Sequence, residues 1–391
     1  MNVSLHPSTD SSNTTTQALS WATQPDEDSQ TLLEAIPFIP QGLDKGWFGK
    51  ISTTTILLLG TFGNVMTVII LRRLRSGWSA MNVYLTALAL SDTAMLCSAA
   101  LPMWMRKVLA YDVYASHAVV CKVCMWVVTS TANLSAWLLV ALTAQRAASV
   151  VWPHRVSVIC TRHKSVVVIV VITVVCSALQ LHTVYAADVV RLGTGSGTKR
   201  RCTFGSIGYQ EFWVNVWVKV NMFLYSVLPC VCLVVSNAVL GWKLTVSVKE
   251  AREKLSTGRE LGQESCSRRK NASSVTITII IVSAAFVVVT IPFMIYSNLF
   301  YGYVAKYPEA REIHFFLYDF FFVFGLSNFA WNFYLYCLTG SRFRGEFWKI
   351  VCGCRVSVSS SVSSTEGSYY VTEKSQVSEG GTRGTEIDDD F

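Results

Sequence analysis

Seven stretches of this chain are too apolar and too long to sit comfortably in water. They run at about Ile51 to Leu71, Met81 to Trp104, Cys124 to Ala144, Val166 to Ala186, Phe212 to Leu240, Val275 to Phe300 and Phe315 to Leu338. Roughly 20 apolar residues in a helix cross the hydrocarbon of a bilayer, and a helix satisfies its own backbone groups there. The expected fold is therefore an all-α membrane protein, a seven-transmembrane helix bundle over residues 50–340. Composition agrees: 15% of the 391 residues are charged, against about 25% in soluble domains.

Lysine and arginine set the expected orientation. They cluster in "LRRLRSGW" after the first run, in "PHR" and "TRHK" after the third, in "SRRK" after the fifth and in "SRFRGEFWK" after the seventh. Those segments are expected on the cytoplasmic side of a plasma membrane. Residues 1–49 are then an extracellular disordered tail with glycosylation sequons at Asn2 and Asn13, and residues 355–391, rich in serine, a cytoplasmic disordered one. Most of the +8 net charge lies where the membrane rule puts it, so it is no argument for nucleic acid as a partner. Asn133 also matches a sequon, but inside a run, where no glycan can be added.

Individual polar residues can then be placed by depth. From Cys121 to Arg146 is roughly 37 Å of helix, which puts the arginine at the cytoplasmic mouth and the cysteine at the outer one. Cys202, in the loop after the fourth run, is the other cysteine well placed outside, and a disulfide between the two would pin that loop over the third helix. "HTVYAADVV" and "RRCTF", separated by "GTGSGT", read as a β-hairpin. Asp92 in "LALSD" lies near mid-membrane, with Asn64, Ser135, Asn328 and Asn332 at compatible depths. Such a set suits a sodium ion or a water network, or simply ties helices together.

These features together resemble the rhodopsin-like family of G-protein-coupled receptors over about Ile51 to Cys354. Asn64, Asp92, Arg146, Pro229, Phe286, Pro292, and Asn332 with Tyr336 in "NFYLY", match the family's landmarks in order. The resemblance implies that Arg146, Phe286, Pro292, Asn332 and Tyr336 serve activation and coupling to a heterotrimeric G protein. It also implies arrestin binding after tail phosphorylation, and a short amphipathic eighth helix over residues 341–354. That helix would turn Phe343, Phe347 and Trp348 to lipid, with Cys352 and Cys354 as palmitoylation candidates. The departures are informative. Gln145-Arg146-Ala147 replaces Asp-Arg-Tyr, Thr290 stands for the toggle tryptophan, Phe333 for the seventh-helix proline and Asn237 for a fifth-helix tyrosine. No acid lies near Ala272 to hold Arg146, so either raised ligand-independent activity or a different restraint is expected.

The upper bundle offers an aromatic-rich funnel of ligand-binding candidates: Trp104, Met125, Thr129, Lys219, Asn221, Tyr225, Phe293, Tyr296, Phe300, Tyr318 and Asp319. Lys219 and Asp319 are expected to meet ligand termini or each other. Neither the aspartate of amine receptors, near Val128, nor the lysine of retinal proteins, near Leu326, is present. The absent amine site, the wide funnel and the hairpin resemble peptide receptors, and "NFAWNFYLYCLTGSRFR" looks like invertebrate neuropeptide receptors of the FMRFamide and thyrotropin-releasing-hormone-like groups. A chemosensory receptor for non-peptide ligands is the alternative. An enzyme is not expected, because no metal-ligand cluster, paired carboxylates or activated nucleophile is evident. Nor is a transporter, since no repeat is visible. No cofactor is expected beyond a sodium ion near Asp92.

Overall fold

The computed structural model describes residues 47–74, 79–192, 199–256, 263–306 and 311–352. The sequons at Asn2 and Asn13, Cys354, the two tails and the side chain of Phe300 lie outside the described residues. Seven helices are long and apolar enough to cross a membrane: α1 (Trp47–Arg73), α2 (Ala80–Leu109), α3 (Ala118–Val151), α4 (Arg162–Ala186), α5 (Ile207–Glu250), α6 (Gln263–Lys306) and α7 (Arg311–Thr339). Two strands, β1 (Ala187–Leu192) and β2 (Lys199–Phe204), connect α4 to α5, and α8 (Ser341–Cys352) follows α7.

Helix starts follow local chemistry. Ser79 accepts from the Asn82 N–H, His117 Nδ1 from that of Val119 and Thr161 from that of Lys164, each occupying an otherwise orphan donor of the first turn. α3 is the hub of the bundle, packed against α2, α4, α5 and α6, while α7 closes the ring between α6 and α1. Its buried face carries small and hydroxyl residues, including Thr129, Thr131, Ser135, Ala136 and Thr143. Such residues let helices approach closely in lipid. Thr129, Thr131 and Thr143 donate to the carbonyls four residues back, at 2.9, 2.7 and 2.7 Å, so these hydroxyls cost nothing in unmet hydrogen bonds. α4 is peripheral and leaves Val167, Val170, Val171, Val174 and Val175 exposed, a lipid-facing stripe.

Three expectations are corrected. The second helix runs five residues past Trp104, through a π turn at Leu96–Ala100, and so carries Lys107 inside the span. The stretch "HTVYA" is helical, and the ribbon begins only at Ala187, with Val189 opposite Cys202. Phe343 and Phe347 face the bundle rather than lipid. The ring of Phe343 lies 5.8 Å from Phe333 and 5.5 Å from Tyr336, and that of Phe347 lies 5.5 Å from Phe333. Four residues apart, the two share one face of α8, and Phe333 gives that face an apolar seat. Trp348, one position on, is the ring left exposed.

Candidate functional site

At the hairpin end, Cys121 and Cys202 form a disulfide that ties β2 to the first turns of α3. Beneath it Met125, Ala187, Phe204 and Trp213 pack into a small core, and Met125 supports the ribbon without joining the lining of the cavity below. Arg200 donates to the Ser116 carbonyl at 3.1 Å, a second tether.

Below this cover is a cavity of about 130 Å³. Thr129, Asn221, Tyr225, Phe293 and Tyr318 line it as expected, together with Met95, Val128, Ser297 and Phe322. The other funnel residues whose side chains are described are not in this lining. Trp104 donates its indole N–H to Thr54 Oγ1 on α1 at 2.9 Å, and the Tyr296 hydroxyl lies 3.1 Å from His314 Nδ1. Lys219 is exposed on the outside of α5. At about 100° per residue, two positions put it on the far side from Asn221. Asp319 instead meets Lys107 at 2.5 Å, both side chains almost fully buried. Sequence reasoning missed Lys107 because the second span was ended too soon; a lysine inside a span is itself a signal.

Asn221 belongs to a further group that sequence left unremarked. Its Oδ1 accepts from Asn133 Nδ2 at 3.0 Å and Gln180 Nε2 at 3.1 Å, joining α3, α4 and α5 at the cavity wall. Only the failed sequon match had drawn attention to Asn133.

Mid-bundle, Asp92 is buried. Its Oδ1 accepts from Ser135 Oγ at 2.7 Å and its Oδ2 from Asn332 Nδ2 at 2.7 Å, with Ser91 Oγ 2.9 Å from Ser135. Two of the expected partners stand apart. Asn64 donates to the Phe329 carbonyl at 3.1 Å, and Asn328 is half-buried with no hydrogen bond to the cluster among the described residues. The oxygens that converge are therefore a carboxylate and two hydroxyls, fewer than the depth argument offered.

Near the cavity, Phe286 is buried with its ring 6.2 Å from that of Tyr225, and Pro292 lies inside α6 next to Phe293, where it withholds an N–H from the helix ladder. At the end opposite the hairpin, Arg146 donates through Nε and Nη2 to Thr276 Oγ1, at 3.3 and 3.2 Å. Close by, a groove of about 620 Å³ opens between the ends of α1, α2, α6, α7 and α8, lined by Leu71, Leu85, Ile279, Tyr336, Arg342 and Phe343 among others. The Tyr336 hydroxyl is buried there without a partner among the described residues.

A family model described as "7 transmembrane receptor (rhodopsin family)" matches residues 63–336. The growth hormone secretagogue receptor type 1 of Sus scrofa is 25% identical over 292 residues, covering 74% of this chain and 75% of that receptor. The same receptor of Mustela putorius furo is 26% identical with the same coverage. That of Mus musculus is 25% identical over 298 residues, 75% of this chain and 77% of its own.

Proposed function

The chain belongs to the rhodopsin family of seven-transmembrane receptors, and from that premise we propose that it binds an extracellular peptide and activates a heterotrimeric G protein. One observation carries the reading: α3 and α6 both line the cavity, through Thr129 and Phe293, and both hold the Arg146–Thr276 contact at the other end. From Phe293 to Thr276 is roughly 25 Å of continuous helix. A ligand that moves α6 against α3 at the cavity strains that contact, and the cytoplasmic groove is then the seat for the G protein. The hairpin with its basic residues, the missing amine site and the likeness to growth hormone secretagogue receptors support a peptide. The narrower kinship to FMRFamide and thyrotropin-releasing-hormone-like receptors rests on "NFAWNFYLYCLTGSRFR" alone.

The same reading places the amino terminus outside the cell, arrestin on the phosphorylated tail, and a lipid anchor at Cys352. A sodium ion at Asp92 would be held by that carboxylate with Ser135 and Ser91, and Asn332 Nδ2, a donor, would have to turn away from it. The test is a peptide library screened on cells that express the receptor, with G-protein dissociation as the readout. Activation by a peptide supports the reading. Activation by small apolar compounds with no peptide response would replace it with the chemosensory alternative.

A further inference from the structure

The cavity wall carries a hydrogen-bonding group whose polarity is fixed by its neighbours. An amide oxygen has two lone pairs, and those of Asn221 Oδ1 are taken by Asn133 Nδ2 and Gln180 Nε2. The three amides cannot all be turned over, because Asn133 Nδ2 also donates to the Thr129 carbonyl at 3.0 Å, and a reversed amide would set oxygen against oxygen. Gln180 is almost fully buried and leaves its own Oε1 without a partner among the described residues while giving its N–H to Asn221, an arrangement that is costly unless another donor fills it. What Asn221 has left is Nδ2, which makes no hydrogen bond among the described residues although the residue lines the cavity.

The geometry points to Asn221 as a fixed donor that selects a ligand group bearing an acceptor oxygen, a carbonyl or carboxylate, with Asn133 and Gln180 as positioning residues. The remaining lining is largely apolar, Val128, Phe293 and Phe322 among it, so the group that fits pairs an apolar body with that oxygen. This rests on the cavity being the ligand site and names the chemistry it reads. A group presenting only N–H donors would leave the Asn221 donor unmet and set donor against donor, and sites built around one buried polar group discriminate strongly against the wrong partner.

The test uses the full-length receptor in lipid nanodiscs and two probes of similar size, acetophenone, which only accepts, and benzylamine, a cation that only donates. Binding is followed by ligand-observed NMR. The wild-type protein is expected to bind acetophenone at least roughly tenfold more tightly. Asn221→Asp keeps an oxygen for Asn133 and Gln180 but turns the remaining donor into an acceptor, so the preference should reverse. Gln180→Leu should shrink the ratio of the two affinities, a readout that a general loss of packing would not move selectively. Equal affinities in the wild-type protein, preference for benzylamine, no binding of either probe, or an unchanged ratio in Asn221→Asp would each overturn the inference. Because no peptide or G protein is involved, failure here is separable from failure of the signalling screen.

Discussion

Arg146 on α3 and Thr276 on α6 are joined by a two-pronged hydrogen bond, guanidinium Nε and Nη2 donating to one hydroxyl at 3.3 and 3.2 Å. A hydroxyl on α6 is thus the acceptor for a charged donor on α3. Hydrogen bonds to a charged group contribute about 1.5–3 kcal/mol.

Thr276→Val, close in size but without the donor and acceptor, should therefore raise ligand-independent signalling several-fold. Thr276→Glu, which would set a carboxylate against Arg146, should lower it below the wild-type level. Basal G-protein activation in cells, normalised to surface expression, checks both directions. Identical basal output from all three receptors would show that this contact restrains nothing.

The Lys107–Asp319 pair ties α2 to α7 where water is scarce. Removing one partner of a buried pair costs about 3 kcal/mol or more, whereas replacing both by apolar residues is often near neutral. Lys107→Met and Asp319→Leu should each lower the melting temperature of the purified receptor, and the double variant should recover most of the loss. Gly49→Ala should cost less than losing a partner, since its Cβ would meet only the flexible end of Lys107, with Nζ at 2.9 Å. An additive double mutant would argue against the pairing.

The disulfide closes a separation of 81 residues. Loop-closure entropy puts an upper bound of about 4.5 kcal/mol on its contribution, reduced here because the helices between are held by lipid even when unpacked. Replacing both cysteines with serine should lower the melting temperature and speed protease cleavage in β1 and β2, while leaving the seven helices inserted. Circular dichroism and limited proteolysis read the two effects separately.

α8 offers an internal control. Phe343→Ala empties a buried aromatic site against Phe333 and Tyr336 and should cost about 3 kcal/mol. Trp348→Ala, on the exposed face, should stay within about 0.5 kcal/mol for the packing of α8 on the bundle. Thermal melting of the two variants in the same detergent decides between this seating and an α8 that presents all three rings to lipid.

The number of spans, the all-helical class, the Cys121–Cys202 bond and the Asp92–Ser135–Asn332 cluster were legible in the sequence. Each depends on residue type and depth along a helix, and depth follows from the rise per residue. Azimuth was less secure. Lys219, Trp104 and Phe343 lie at suitable depths but turn the wrong way, because a direction fixed by π turns, a neighbour such as Thr54, or an apolar seat such as Phe333 is not written in one segment. The same holds for partners across the bundle. That Asp319 meets Lys107, Arg146 meets Thr276 and Asn221 receives two amides was decided only when seven separately stable helices packed, since each pairing joins residues on different helices whose relative rotation no local pattern encodes.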